Sequence, residues 1–188
     1  DRSSAASDVY KRQPYVLNTY AKHAETGEPI PQALVDKIKA SDTFMQGFAT
    51  VEYLSSSILD MMMHNRSEPI SDVKAFEKSA LAEIGMPKEM VMRHRLPQFN
   101  HLFSGDGYSA GYYSYLWSET MDADTWAAFN EAGDVWDKET AERFRSMLLA
   151  TGNETDRLEA YRAFRGRDPD VKYIMKKRGF PVPGETTN

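Results

Sequence analysis

The sequence predicts an all-α domain of about eight helices, because apolar residues recur every three or four positions along most of the chain. Residues that cap or stop helices, mainly Asp, Ser, Gly and Pro, separate these stretches. No stretch shows the convincing alternation of a half-buried strand. The 188 residues suit one domain with a sizeable hydrophobic core.

The first two predicted helices cover residues 15–24 and 32–40. The first stops in the segment ETGEPIP, where Gly27 suits the position after a helix end and Pro29 prevents continuation. Pro31 fits the first turn of the second helix, because a proline there lacks only an amide that would be unpaired anyway.

A long third helix is expected to end near Asn65, with Ser41 or Asp42 as its N-cap. Spacings of three and four predict one apolar stripe along it. The stripe consists of Phe44, Phe48, Val51, Leu54 or Ser55, Ile58 and Met61 or Met62. Ser71 or Asp72 then caps a helix that runs to Ile84.

Residues 86–107 are expected to be irregular, apart from a short helix that 87–92 can form. A further helix should run from Tyr108 to Met121 and continue or restart through residues 123–133. The last helices are expected at 138–150, 154–164 and 171–177, followed by a loose tail over 181–188.

Residues 1–13 read differently from the rest of the chain. They are polar and lack the apolar centre of a signal segment. We expect them to be foreign to the natural protein or disordered, so that the fold begins near Pro14.

Composition narrows the function classes. The net charge of −5 leaves no basic field for a nucleic acid. No apolar run reaches the ~20 residues that cross a bilayer. The chain has no cysteine, which excludes disulfides, thiolate metal sites and cysteine nucleophiles. We therefore expect neither a nucleic acid nor a membrane as a partner.

The most unusual stretch is FNHLFSGDGYSAGYYSYLWSE, residues 99–119, which contains four tyrosines, three glycines and a histidine. On a helix from Tyr108, the side chains of Tyr108, Tyr112 and Tyr115 would share one stripe, with Glu119 below them. The loop with Gly105 and Gly107 is flexible enough to bring His101 back over that stripe.

Phenol groups at one-turn intervals can donate hydrogen bonds to carbonyl oxygens or to a developing oxyanion. A histidine beside them can donate to a peptide carbonyl as well, so the pattern suits an extended peptide. Tyrosines at helical spacing are nevertheless more often packing residues whose hydroxyls face water. From spacing alone, both interpretations stay open.

The same stretch resembles the tyrosine- and glycine-rich signature of the thimet oligopeptidase and peptidyl-dipeptidase family of zinc metallopeptidases, and is most similar to its bacterial peptidyl-dipeptidase branch. Two further segments agree: YAKHAETGEPIPQALVDKI early in the chain and RFRSMLLATGNETDRLEAYRAFRGRDPDVKYIMKKRGF late in it. The resemblance covers residues 14–180.

The resemblance implies a helical, clam-shaped fold whose zinc is held by an H-E-x-x-H helix and a later glutamate. This chain has no His-Glu pair, and no two of its histidines, His23, His64, His94 and His101, are four residues apart. The resemblance therefore implies that residues 14–180 are the C-terminal part of the catalytic domain, which lacks the zinc site and is inactive alone. Zinc is expected in the intact enzyme and no metal in this chain.

The resemblance also assigns roles. It implies that Tyr108 and Tyr115 are catalytic residues that contact the transition state, and that Tyr112 and His101 bind substrate. Gly105 and Gly107 lie in the same substrate-binding segment. Release of dipeptides from a free C-terminus requires a group that binds a carboxylate. Arg93 and Arg95 are candidates by charge and proximity only, and exposed arginines are more often simple surface residues.

The expected partners are short peptides, the missing N-terminal portion of the same enzyme and a second copy of the chain. A bacterial compartment, cytoplasm or periplasm, stays open. The alternative function is a non-catalytic helical module that binds peptides. A carbohydrate or single-strand binder with stacked tyrosines is disfavoured by the acidic balance.

Overall fold

The computed structural model describes residues 14–185 and is built of α-helices. The helices are α1 (Pro14–Tyr20), α2 (Gln32–Ser41), α3 (Gln46–His64), α4 (Val73–Glu83), α5 (Asn100–Phe103), α6 (Ser114–Glu131), α7 (Lys138–Arg143), α8 (Arg157–Arg165) and α9 (Lys172–Lys177). Within the described range there is no β-strand, only an isolated antiparallel bridge between Lys22 and Pro29. The predicted all-α class is confirmed.

Two shorter helical segments complete the architecture. A 3₁₀ turn covers Leu96–Gln98, and α7 continues into a π-helical segment over Phe144–Leu149. None of the helices that the structure describes is both long enough and apolar enough to cross a bilayer. Residues 1–13, predicted to be foreign or disordered, lie outside the described range, as do the last three residues of the predicted tail.

The helices group into two compact units. The central unit comprises Met45–Trp117, and the terminal unit comprises residues 14–44 and 118–185. The core of the central unit is made by apolar side chains of α3, α4 and the segment that follows them. Its buried members are Leu59, Ala80, Met92, Leu96, Phe99, Leu102 and Tyr112.

The end of α1 differs from the prediction, whereas α2 begins at Gln32 as predicted. Helix α1 ends at Tyr20, four residues early, because the chain turns back on itself: Ile30 N–H donates to the Ala21 carbonyl at 2.8 Å. Gly27, at φ +71°, serves that reversal and not a helix end. Pro31 precedes α2 as its N-cap and does not occupy the first turn.

The start of α3 also differs from the prediction. Ser41 closes α2, and α3 begins only after Met45, which adopts a left-handed conformation with φ +57°. Neither Ser41 nor Asp42 caps α3, and Phe44 lies before it. The predicted apolar stripe is partly exposed, since Phe48, Ile58 and Met61 face solvent. The face that α3 buries carries three serines, Leu59 and Asp60.

Asp72, one of the two predicted N-cap residues, caps helix α4. The Asp72 carboxylate accepts a hydrogen bond from Ala75 N–H at 2.9 Å. Residues 87–92, which could form a helix, make a turn instead, with Met90 N–H donating to the Pro87 carbonyl. Farther on, buried Glu77 of α4 accepts hydrogen bonds from Arg95 Nε and, at 2.9 Å, from Leu96 N–H. This buried carboxylate ties the irregular segment to α4.

The terminal unit is organised around Asp124, a fully buried carboxylate of α6. It accepts hydrogen bonds from Arg165 Nε at 2.9 Å, from Arg167 Nη1 at 2.7 Å and from Asp170 N–H at 2.9 Å. Burial opposes ionisation of this group, but the bonds from Arg167 and from the Asp170 amide keep the pKa of Asp124 below its ordinary value. Asp124 thus connects α6 to the loop after α8.

Candidate functional site

Residues 108–113, called here the tyrosine turn, form successive turns, and α6 begins only at Ser114. The helical stripe predicted for Tyr108 and Tyr112 is therefore wrong. Ala110 is the physical cause, because its φ of +55° is left-handed and interrupts helical geometry. Gly111 N–H still closes a tight turn by donating to the Tyr108 carbonyl at 2.9 Å.

The tyrosine turn is bound to α3 by a single buried carboxylate. Asp60 has no solvent exposure (0%). Its Oδ1 accepts a hydrogen bond from Ala110 N–H, and its Oδ2 accepts one from Tyr112 N–H, both at 2.9 Å. Inside a helix that began at Tyr108, only the Tyr112 amide would find a partner, whereas Asp60 pairs both amides.

A phenol on the same helix holds the end of the turn. The Tyr53 hydroxyl donates to the Tyr112 carbonyl at 2.8 Å and accepts from Leu116 N–H at 3.2 Å. Its ring stacks on Tyr112 with centroids 5.5 Å apart. Asp60 and Tyr53 together connect α3 to both sides of the tyrosine turn.

The structure brings four of the predicted site residues together: His101, Tyr108, Tyr112 and Tyr115, called here the tyrosine–histidine cluster. The rings of Tyr108 and Tyr115 are stacked, 5.3 Å apart and nearly parallel at 5°. The His101 ring lies edge-on to Tyr108 at 5.3 Å and to Tyr112 at 5.5 Å. Tyr112 and Tyr115 are 5.2 Å apart. The predicted neighbours are therefore adjacent, although Tyr108 and Tyr112 lie in the tyrosine turn and not on α6.

The hydroxyls within the cluster differ in environment. The Tyr115 hydroxyl donates to the Tyr108 hydroxyl at 2.7 Å. That hydrogen bond, assisted by burial, raises the pKa of Tyr115 to about 12. Tyr112 is only 4% exposed, and burial together with the nearby Tyr53 phenol raises its pKa as well. Tyr112 and Tyr115 are thus neutral phenols at physiological pH, and each carries one O–H donor.

A second histidine lies beside the cluster. His94 stacks on Phe99 at 5.0 Å, and its ring is 5.4 Å from that of His101. Burial lowers the pKa of His94, and the neighbouring His101 and Arg93 lower it further. An imidazole in this environment favours its neutral form and can donate or accept one hydrogen bond.

The other predicted site residues lie around the cluster in different settings. Gly105 and Gly107 belong to an exposed loop, and a Cβ at either would meet open space. Arg93 is exposed, whereas the guanidinium of Arg95 pairs with the buried Glu77 carboxylate. Glu119, predicted to extend the tyrosine stripe, pairs with Arg178 in the terminal unit.

Comparisons with known proteins assign the chain to a family. A sequence model of peptidase family M3 matches residues 3–180. The chain belongs to peptidase family M3. This is the family of the predicted resemblance, and the match begins inside the segment 1–13 that we expected to be foreign.

Curated M3 relatives match the chain at moderate identity. The dipeptidyl carboxypeptidase of Salmonella typhimurium is 35% identical over 179 residues, which are 94% of this chain and 26% of the relative. Oligopeptidase A of Escherichia coli is 33% identical over 89% of this chain and 25% of its own length. The probable cytosolic oligopeptidase A of Arabidopsis thaliana is 34% identical over 87% of this chain and 24% of its own length. The M3 chain thus spans about a quarter of the length of these relatives.

Zinc does not fit the residues that the structure describes in this M3 chain. A catalytic zinc site needs three protein ligands of the histidine, carboxylate or thiolate type. Within residues 14–185, no three His, Asp or Glu side chains lie together in a group that could hold a metal ion. His94 and His101 are neighbours, but two imidazoles do not complete such a set.

Sequence reasoning missed three residues of this M3 site: Asp60, Tyr53 and His94. Asp60 carried a signal, because it is the one charged residue within the apolar run ILDMMM. A buried charge in such a run must be paired, and the segment that pairs with it is then held in place. Tyr53 and His94 carried no such signal. Each has both polar and apolar neighbours in the sequence, so the sequence pattern fits an exposed side chain as well as a buried one.

Proposed function

We propose that this M3 chain is the C-terminal portion of a zinc-dependent peptidyl-dipeptidase or oligopeptidase that hydrolyses short peptides. The observation that carries the proposal is the hydrogen-bonded phenol pair of Tyr108 and Tyr115 beside His101, in a member of peptidase family M3. The cluster forms one wall of the substrate channel. The remaining wall and the zinc ligands belong to an N-terminal portion outside this chain.

The phenols supply hydrogen bonds to the reacting carbonyl. Tyr115 donates to Tyr108, so the Tyr108 hydroxyl keeps its own proton for an acceptor on the substrate. As negative charge develops on the carbonyl oxygen, the bond from Tyr108 strengthens, and Tyr115 polarises Tyr108 in turn. Both residues are catalytic in this proposal: Tyr108 contacts the oxyanion, and Tyr115 acts on the same charge through its hydrogen bond to Tyr108.

The neighbouring residues orient the peptide. His101 donates to a backbone carbonyl of the substrate, and Tyr112 contributes the buried floor on which the other rings rest. Gly105 and Gly107 have no side chains, so a peptide backbone can approach their loop closely.

Arg93 is a better candidate than Arg95 for binding the C-terminal carboxylate of a substrate. Arg93 is exposed and close enough to lower the pKa of His94. Arg95 already pairs with Glu77, and removing it would leave that buried carboxylate without a cation. A guanidinium beside the cluster suits a carboxylate, which it can bind through two parallel hydrogen bonds.

The test compares this chain with the protein that its reading frame encodes in the genome. We expect an H-E-x-x-H sequence upstream, zinc-dependent release of short products from peptides by the whole protein, and neither zinc binding nor hydrolysis by residues 1–188 alone. A heat-inactivated sample is the control. Stoichiometric zinc in the dialysed chain contradicts the proposal. A whole protein without H-E-x-x-H that still binds peptides supports the non-catalytic binding module instead.

Two partners follow from the proposal. In the whole enzyme, the exposed apolar side chains of the central unit pack against the N-terminal portion. When the chain is isolated, a second copy covers the same side chains, and this self-association is tested below.

A further inference from the structure

We infer that Asp60 is a positioning residue for the tyrosine–histidine cluster, because its carboxylate fixes the backbone from which Tyr108 and Tyr112 project. This inference rests on the proposed function, in which Tyr108 contacts the substrate and Tyr112 supports the rings beside it. Asp60 itself lies inside α3, is fully buried and touches no part of the open surface. It therefore acts through the tyrosine turn and not on a ligand.

Two of the three contacts of the Asp60 carboxylate are with backbone amides. Ala110 and Tyr112, which lie 50 and 52 residues away along the chain, each donate one N–H to a different oxygen. The remaining contact is with its own helix, where His64 Nδ1 is 2.8 Å from Oδ1. A buried carboxylate that accepts several hydrogen bonds holds its partners more strongly than a neutral acceptor would.

The tyrosine turn needs such an anchor because its backbone is intrinsically unfavourable. Ala110 carries a Cβ in the left-handed region, at φ +55°, which only surrounding contacts maintain. Asp60 binds the amide of Ala110 and that of Tyr112, two residues later, and so holds both sides of this conformation. The result is the stacking of Tyr108 on Tyr115 and the 2.7 Å bond between their hydroxyls.

The experiment uses the full 188-residue chain with Asp60→Asn, which keeps the shape of the side chain but leaves only one accepting oxygen. Amide hydrogen exchange at Ala110 and Tyr112 is expected to accelerate about tenfold or more, as loss of a hydrogen bond to a charged acceptor implies. Tyr115 should titrate below its wild-type value of about 12, toward the value of an ordinary phenol near 10. Carbon-13 labelling of tyrosine Cζ reports the titration of each phenol.

The matched control is Asp124→Asn. Asp124 is equally buried, also accepts from a backbone amide and belongs to the terminal unit. The Asp124→Asn substitution should destabilise the protein without changing amide hydrogen exchange at Ala110 or the titration of Tyr115. A role for Asp60 in general stability alone would make the two variants behave alike, and that result overturns the inference. Wild-type behaviour of Asp60→Asn at both readouts overturns it too.

If Asp60→Asn does not fold, amide hydrogen exchange in the wild-type chain tests the inference. Its Ala110 and Tyr112 amides should exchange at least about tenfold more slowly than the amides of the exposed loop residues Asp106 and Gly107. Equal rates contradict the inference. None of these readouts requires peptidase activity. Failure of the positioning role is thus distinct from failure of the proposed function, which the whole protein's hydrolysis assay tests.

Discussion

Tyr108 and Tyr115 share one hydrogen bond, so their hydroxyls are expected to act as a unit on charge that appears in the transition state. In the whole enzyme, Tyr108→Phe or Tyr115→Phe should lower kcat much more than it raises KM. Loss of one such donor costs roughly 2–4 kcal/mol of barrier. Steady-state kinetics on a short peptide measure the split.

Tyr113→Phe is the matched control for these variants. Tyr113 belongs to the same turn, but it is 52% exposed and has no ring contact with the cluster among the described residues. Its loss of a hydroxyl should leave kcat unchanged. Wild-type kcat in both cluster variants would show that Tyr108 and Tyr115 are packing residues.

Individual residues also show how far sequence patterns reach. The residue types of the cluster and their closeness were predictable, because four tyrosines crowd into residues 108–115 beside a histidine. Asp60 was not predictable as their anchor. Its partners are backbone amides some 50 residues away. Every residue except proline has a backbone N–H, so the sequence does not show which amides will pair with Asp60.

At the scale of single helices, capping of α4 gives a stability prediction. Ser71 and Asp72 were equivalent cap candidates, and Asp72 makes the bond to Ala75 N–H at 2.9 Å. Asp72→Ala should lower the free energy of unfolding by about 1 kcal/mol, because the first turn loses its only side-chain acceptor. Urea denaturation measured by circular dichroism reports the change.

Ser71→Ala provides the comparison, since the alternative cap should contribute little. Equal losses in the two variants, or a larger loss for Ser71→Ala, would show that the helix uses the serine in solution. The caps of α7 and α8, Asp137 and Asp156, follow the same rule in the structure, each accepting from the first turn of its helix.

Helix existence was predicted better than helix ends. The predicted ends are wrong where a distant side chain, or a reversal of the chain, holds the backbone in a turn. Asp60 does this before α6, and the Lys22–Pro29 pairing does it after α1. Local periodicity contains no information about such contacts.

For the molecule as a whole, the exposed apolar side chains predict self-association of the isolated chain. Phe48 on α3 is 44% exposed, and Trp117 on α6 is 55% exposed. Uncovered apolar surface of more than a few hundred Å² tends to find another surface. Hiding about 600 Å² on each of two copies corresponds to roughly 30 kcal/mol of gross transfer free energy, before the large costs of association.

Light scattering at micromolar concentration should therefore report a dimer or larger species, and Phe48→Ser should shift it toward the monomer. Lys88→Ser, at a lysine whose side chain is 91% exposed, should not change the association. A wild-type monomer that fails to bind a hydrophobic dye contradicts the prediction, because the remaining helices would then cover their own apolar surface.

By itself, the sequence determined the all-α class, most helices, the family resemblance and the segment that carries the phenols, because these depend on local periodicity and on residues that are close along the chain. Only the tertiary structure decided that Tyr108 and Tyr112 leave the helix, that Asp60 holds them and that Arg95 is committed to Glu77. Those outcomes depend on which distant hydrogen-bond donors each buried carboxylate pairs with. Satisfying a buried carboxylate is a requirement of the folded molecule and not of any one segment.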